Sequence, residues 1–84
     1  MDWDDLRIFL AVARAGQLLG AANRLGLNHA TVSRRIAGLE KALDARLLDR
    51  LTTGCRLTEA GERLLSVAER MERDALDAGA LSRE

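Results

Sequence analysis

The 84-residue sequence has no proline and no tyrosine, and only one each of cysteine, tryptophan, phenylalanine and histidine. Each shortage removes a class of answer. A single cysteine, Cys55, excludes an internal disulfide. A lone His29, in a segment unrelated to Cys55, has no partners for a zinc site, so no metal and no cofactor are expected. With aromatics confined to Trp3 and Phe9, the core must be Leu, Ala, Val and Ile, and the basic region has no rings for RNA bases to stack on. The missing proline fits a chain dominated by helices. No signal peptide or long apolar run is present, so a cytoplasmic location with no membrane partner is the default expectation. There is no nucleophile beside a base, no metal-ligand spacing and no glycine-rich phosphate loop, so no enzyme is expected. What remains is a hydrophobic content of 48%, which excludes a disordered tail and allows one small domain with a modest core.

Charge of one sign is also lacking, since Lys+Arg and Asp+Glu are 13 each. The balance hides a division. Between Asn23 and Arg56 stand Arg24, Arg34, Arg35, Lys41, Arg46, Arg50 and Arg56, against Glu40, Asp44 and Asp49. From Thr58 onward acids outnumber bases. The middle of the chain is basic and its end acidic, and local field governs binding more than the total. Zero net charge does predict weak non-specific affinity for nucleic acid.

The most informative stretch is Ala21 to Leu39, AANRLGLNHATVSRRIAGL. Ala21, Ala22 and Leu25 share one side of a short helix, and the paired alanines allow close approach. Gly26 suits a helix end, because glycine adopts positive φ freely. Leu27 is placed to plug the angle of a turn, and Asn28 is an N-cap for the next helix. Val32, Ile36, Leu39 and Leu43 then recur at steps of four, three and four, the period of a helix with one buried face. The opposite face carries Ala30, Ser33, Arg34, Ala37 and Lys41, with Thr31 and Gly38 on its flank and His29 at its start. Small side chains let a helix sink into the major groove, and an arginine there can grip guanine through two hydrogen bonds. This is the pattern of a helix-turn-helix, with a recognition helix over about 28–42. Arg35 projects nearer the buried stripe and is expected on backbone or an internal carboxylate. Glu40, Lys41 and Asp44 read as ordinary helix-surface charge.

On either side the pattern continues. A first helix is expected over Asp4–Ala15, with Leu6, Phe9, Leu10 and Ala13 buried, Trp3 packing near its start and Gly16 ending it. Asp2, Asp4 and Asp5 are read as capping and complementing the helix dipole in preference to holding a metal. After a break at Asp44 and Ala45, Leu47–Leu51 and Cys55–Leu57 form two strands about a Thr52-Thr53-Gly54 turn. Arg50 and Arg56 flank this wing, over about 50–56, and are read either as phosphate or minor-groove contacts or as solvated surface. Thr58 caps a long last helix, Gly61 marks a close approach, and Ala80–Glu84 is expected to fray. Leu64, Ala68, Met71, Ala75 and Ala78 make a stripe, with Leu65 and Leu76 beside it, which suits pairing with the same helix of a second chain.

These segments together resemble the amino-terminal domain of LysR-type transcriptional regulators. The resemblance runs through DLRIFLAVARAG (Asp5–Gly16), AANRLGLNHATVSRRIAGLEKAL (Ala21–Leu43), LLDR (Leu47–Arg50) and RLTEAG (Arg56–Gly61). It implies a mainly α fold: a winged helix-turn-helix, with a three-helix core and short β-hairpin, followed by a long linker helix. It divides the chain into a DNA-binding domain, 1–57, and a linker or dimerisation helix, 58–84. It matches Asn28 to the family's helix cap, His29, Ala30, Ser33 and Arg34 to groove-facing positions, and Arg50 to the basic residue before the wing, with Arg56 on its far side; with Thr31 from the helix flank, these eight are the expected DNA contacts. The implied partners are double-stranded DNA carrying an interrupted palindrome and a second copy of the chain. The copies pair through Leu64, Ala68, Met71 and Ala75, with higher oligomers open to a full-length protein. Family members continue into a ligand-sensing domain, so a truncated DNA-binding fragment or a stand-alone relative is expected here. The chain departs from the family at Gln17-Leu18-Leu19, where Ser-Phe-Thr is common. Leu18 can fill in for a buried aromatic. Leu19 cannot cap the helix or bond a phosphate, and Gln17 is the nearest substitute. His29 stands where Gln is common and Ala30 where Pro is common, which shifts the expected base preference.

The competing reading is a helical protein-protein interaction module built on the same three-helix core. For His29 the alternatives are a base or phosphate contact and a plain exposed helix start. For Cys55 they are a redox switch in the wing and a bystander thiol, the latter favoured because no second cysteine can resolve it.

Overall fold

The computed structural model describes residues 2–81, with side chains described as far as Gly79. In chain order the elements are α1 (Trp3–Ala15), α2 (Leu18–Leu25), α3 (His29–Leu43), β1 (Leu48–Leu51), β2 (Gly54–Leu57) and α4 (Glu59–Leu81). The chain is therefore mainly helical with one two-stranded antiparallel hairpin. The α4 backbone stays helical to Leu81, and the rest of the fraying expected at Ala80–Glu84 lies outside the described residues.

The helix ends follow local chemistry. Asp2 accepts the Asp4 N–H at 3.2 Å and so caps α1. Gly16 and Gly26 close α1 and α2 in the left-handed region, at φ 75° and 67°. Asp44 closes α3 in the same region, while Ala45 N–H returns to the Glu40 carbonyl at 3.1 Å. Thr58 caps α4 by accepting the Gly61 N–H at 3.0 Å. The start of α2 is different. Gln17 stands at its N-cap without a side-chain cap hydrogen bond, so it does not replace the missing hydroxyl. Leu18 is buried, as a stand-in for an aromatic should be, whereas Leu19 is exposed.

The core gathers on α1, which α2, α3 and α4 all touch. Five α1 residues, Leu6, Ile8, Phe9, Leu10 and Val12, are buried. A one-sided stripe omitted Ile8 and Val12 and included Ala13, which is only half-buried. The reason is geometric: a helix covered on three sides has no single buried face. Ala21 and Ala22 of α2 and Val32, Ile36 and Leu39 of α3 complete the centre. Leu27 packs against it, partly buried, in the turn between the two helices. Leu43, expected to continue the α3 stripe, is 36% exposed. It borders an apolar cleft of about 260 Å³ with Ala45, Leu47, Ala60, Leu64 and Val67.

The first part of α4 belongs to the same core. Gly61 is buried where an added Cβ would lie 2.1 Å from the Leu47 carbonyl oxygen, the close approach that its position in the sequence marked. Ala68 is fully buried, and Arg14 of α1 donates to both carboxylate oxygens of Glu72 at 3.0 and 2.7 Å. This corrects the expected pairing stripe. Ala68 is buried in the core of its own chain and offers no surface to a second copy. The exposed apolar positions beside it are Val67 and Met71, 39% and 41% exposed.

The hairpin register is Leu48↔Leu57, Asp49↔Arg56, Arg50↔Cys55 and Leu51↔Gly54. The strands differ by a residue from those expected. Leu47 N–H leaves the ladder for the Glu40 carboxylate, 2.7 Å away. Glu40 is therefore no ordinary surface charge; it joins the end of α3 to the start of the hairpin. On the other strand, Gly54 cannot carry a side chain, because a Cβ would stand 2.6 Å from the Gly16 oxygen. Cys55 N–H donates to that same oxygen at 2.9 Å, which ties the hairpin to the end of α1.

Candidate nucleic-acid interface

The surface of α3 is set by two opposite uses of asparagine and arginine. Asn28 turns its Oδ1 back on the helix, accepting from Ala30 N–H at 2.8 Å and Thr31 N–H at 3.3 Å. Its oxygen is thus committed to capping, and only its amide nitrogen is left for a partner. Arg35 points inward, as its place beside the buried stripe implied. It donates to Asp5, and to Asp4 at 2.9 Å, pinning α3 to the start of α1. Asp5 first and Asp4 second push the Arg35 pKa further up. Asp2 thus caps α1, while Asp4 and Asp5 add an ion-pair role that the dipole argument did not foresee.

The outward face of α3 presents His29, Ala30, Arg34, Ala37 and Lys41, all exposed, with Thr31 and Ser33 half-exposed. Among the described residues neither Arg34 nor Lys41 has an ion pair with the protein's own acids, whereas Arg7, Arg14, Arg35, Arg46 and Arg63 all do. Several of those paired arginines are themselves solvent-exposed, Arg46 and Arg63 above all, so what marks Arg34 and Lys41 is an exposed place on α3 without a carboxylate partner among the described residues.

The hairpin brings Arg50 to this surface. Its Nη2 donates to Ser33 Oγ at 2.8 Å, linking β1 to α3. Arg50 and His29 also line one shallow cleft of about 290 Å³ between the start of α2, the start of α3 and the turn at Thr52 and Thr53. Arg56 does not join them. Strand neighbours alternate in direction, and Arg56 pairs across the ladder with Asp49 while Arg50 pairs with Cys55, so the two arginines leave opposite faces of the hairpin. Arg56 is exposed on the outer face. Burial pushes the Cys55 thiol up, with Arg50 pulling it more weakly down. A thiol held protonated is a poor nucleophile, which supports the bystander reading.

Sequence reasoning missed two features. The Ser33–Arg50 bond crosses 17 positions, and no local spacing announces it. Val67 was passed over because steps of three and four both keep a helix face. Leu64-Ala68-Met71 and Leu64-Val67-Met71 are equally regular until Ala68 is seen to lie in the core.

Three helices with a tight turn and an antiparallel hairpin beside a basic helix define a winged helix-turn-helix. The chain belongs to the LysR family of bacterial regulatory helix-turn-helix proteins, whose pattern it matches over residues 3–62. It is 49% identical over 71 residues to an HTH-type transcriptional regulator from the ibpB–leuC intergenic region of Azotobacter vinelandii, covering 84% of this chain and 49% of that one. To the HTH-type transcriptional regulator DmlR of Escherichia coli it is 44% identical over 71 residues, covering 84% of this chain and 23% of that one. The chain thus spans about half of one relative and about a quarter of the other. Among solved structures, the DNA-binding domain of CbnR in complex with DNA is similar with a TM-score of 0.91 at 37% identity, covering 99% of this chain and 95% of that one. The BenM DNA-binding domain in complex with catB site 1 DNA gives a TM-score of 0.94 at 25% identity, over 99% and 93%.

Proposed function

We propose that this chain binds double-stranded DNA sequence-specifically, as a dimer, in transcriptional regulation in the bacterial cytoplasm. The observation that carries this reading is the outward face of α3: small side chains around Arg34, whose charge no acid among the described residues pairs. A helix with that face fits the major groove, and its arginine matches the two acceptors of guanine. On this reading α3, about 28–42, lies in the groove, and the hairpin, about 50–56, meets backbone or minor groove. His29, Ala30, Thr31, Ser33 and Arg34 face the bases and nearby phosphates, and Asn28 adds an amide donor. Arg50 and Arg56 contact DNA from the two sides of the wing. Residues 1–57 then read DNA, and 58–84 pair two copies along Leu64, Val67, Met71 and Ala75, with the site an interrupted palindrome. The role is one of binding, not of catalysis. The DNA complexes of CbnR and BenM domains support it by similarity.

The test is selection of binding sites from a random duplex library, followed by fluorescence anisotropy on the enriched sequence across a salt series. An enriched inverted repeat, bound more tightly than scrambled duplex, is expected. Weak binding that vanishes with salt and enriches nothing would overturn the reading and favour a protein partner for the same surface.

A further inference from the structure

We propose that Arg50 is a positioning residue for base reading: it fixes the Ser33 hydroxyl as a hydrogen-bond donor, so that the base facing Ser33 is chosen for an acceptor atom, not an amine, at the point of contact. This rests on the duplex-DNA reading above and goes further, to the chemistry of one contact. A serine hydroxyl has one hydrogen and two lone pairs, so on its own it reads donors and acceptors alike. Here the ambiguity is removed. A guanidinium has only donors, and Arg50 Nη2 spends one of them on Ser33 Oγ at 2.8 Å. The oxygen is therefore the acceptor within the protein. Its hydrogen is uncommitted: among the described residues Ser33 Oγ makes no return bond to the carbonyls of His29 or Ala30, the usual outlet for a serine inside a helix.

Charge sharpens the bias. No carboxylate pairs with Arg50 among the described residues, so the full positive charge stays beside Ser33 Oγ. A hydroxyl that accepts from a cation donates more strongly and accepts a second time less readily. Against a base edge, such a hydroxyl favours N7 or O6 of guanine, N7 of adenine or O4 of thymine. It disfavours the cytosine amine, whose hydrogens would have to approach the lone pair next to the guanidinium. Arg50 need not touch a base to do this. It acts through Ser33.

The experiment is site selection with the wild-type chain and with Ser33→Ala, Arg50→Met, Arg50→Lys and the Ser33→Ala/Arg50→Met double variant. Circular dichroism is recorded for each variant, and Arg50→Ala replaces the Met variant if that one fails to fold. Ser33→Ala is expected to flatten the wild-type preference at one base pair per half-site. Arg50→Met should flatten the same base pair, by about five- to tenfold, and the double variant should flatten it no further. Arg50→Lys, whose ammonium also donates, should restore most of it. A uniform loss of affinity in Arg50→Met, with the base profile intact and the salt slope lower by about one, would overturn the proposal and leave Arg50 a phosphate contact. A profile unchanged by Ser33→Ala would overturn it too. A wild-type chain that enriches no sequence would instead bring down the duplex-DNA reading itself, a distinct result.

Discussion

Arg34 and Arg35 are adjacent in the sequence and have opposite fates. Arg35 is held by Asp4 and Asp5 at the start of α1, while Arg34 stands exposed with no acid paired to it among the described residues. Replacing Arg34 by alanine should therefore leave the helical spectrum intact and cost about 1–3 kcal/mol of specific DNA affinity, with discrimination relaxed at one base pair. Anisotropy on matched and mismatched duplexes checks this; an unchanged affinity would take Arg34 off the reading surface. Asn28 makes the complementary case. Its oxygen serves Ala30 and Thr31, so Asn28→Ala should lower folding stability by about 1 kcal/mol in a urea titration. Asn28 was legible at once as a cap, because capping depends on residues two and three positions away. Its share in DNA contact is a separate matter, limited to the one group that capping leaves over.

At the scale of elements, two glycines inside helices illustrate how packing decides the sign of a substitution. In α3 a Cβ at Gly38 would meet nothing within 4 Å, so Gly38→Ala should stabilise the fold by up to about 1 kcal/mol through helix propensity. In α4 the same change at Gly61 drives a Cβ into the Leu47 carbonyl and should cost about 1–3 kcal/mol. Thermal melts of the two variants should move in opposite directions; a tolerated Gly61→Ala would mean that α4 and the strand entrance can separate. The close approach at Gly61 was readable from an otherwise unhelpful residue near a helix start. The elements of the helix-turn-helix were readable for a similar reason: Gly26, Asn28 and the Val32–Ile36–Leu39 stripe act over short distances. Faces were harder. The burial of Ile8, Val12 and Ala68 depends on which helices lie alongside, and one chain's periodicity does not contain that. The seam of α4 follows: Met71→Glu should weaken self-association in sedimentation equilibrium before it weakens folding, and a dimer that survives it would place the interface elsewhere.

At the scale of the whole molecule, ion pairs tie the first helix to its neighbours. Arg35 reaches it from α3, and Arg14 leaves it for Glu72 on α4. Arg7 first, and Arg35 second, hold the Asp4 carboxyl below its ordinary value, and Arg14 does the same for Glu72. A carboxylate whose pKa is lowered by folding adds stability above its unfolded pKa and loses it as pH falls through the folded value. The melting temperature should thus stay level from neutral pH to about 5 and drop below the ordinary carboxylate range, modestly because these pairs are solvent-exposed. A melting temperature already falling between pH 7 and 6 would show that these bridges are not the acid-sensitive contacts. The same anchoring has a mechanical side. Fastened to the body near Ala68 and Glu72, α4 runs on for about 20 Å from Ala68 to its last described residue. It is a lever with its fulcrum against α1: a tilt of about ten degrees there moves the far end by roughly 3 Å. In a pair joined along that arm, the stiffness of a single helix sets how much variation in half-site spacing the two readers can follow.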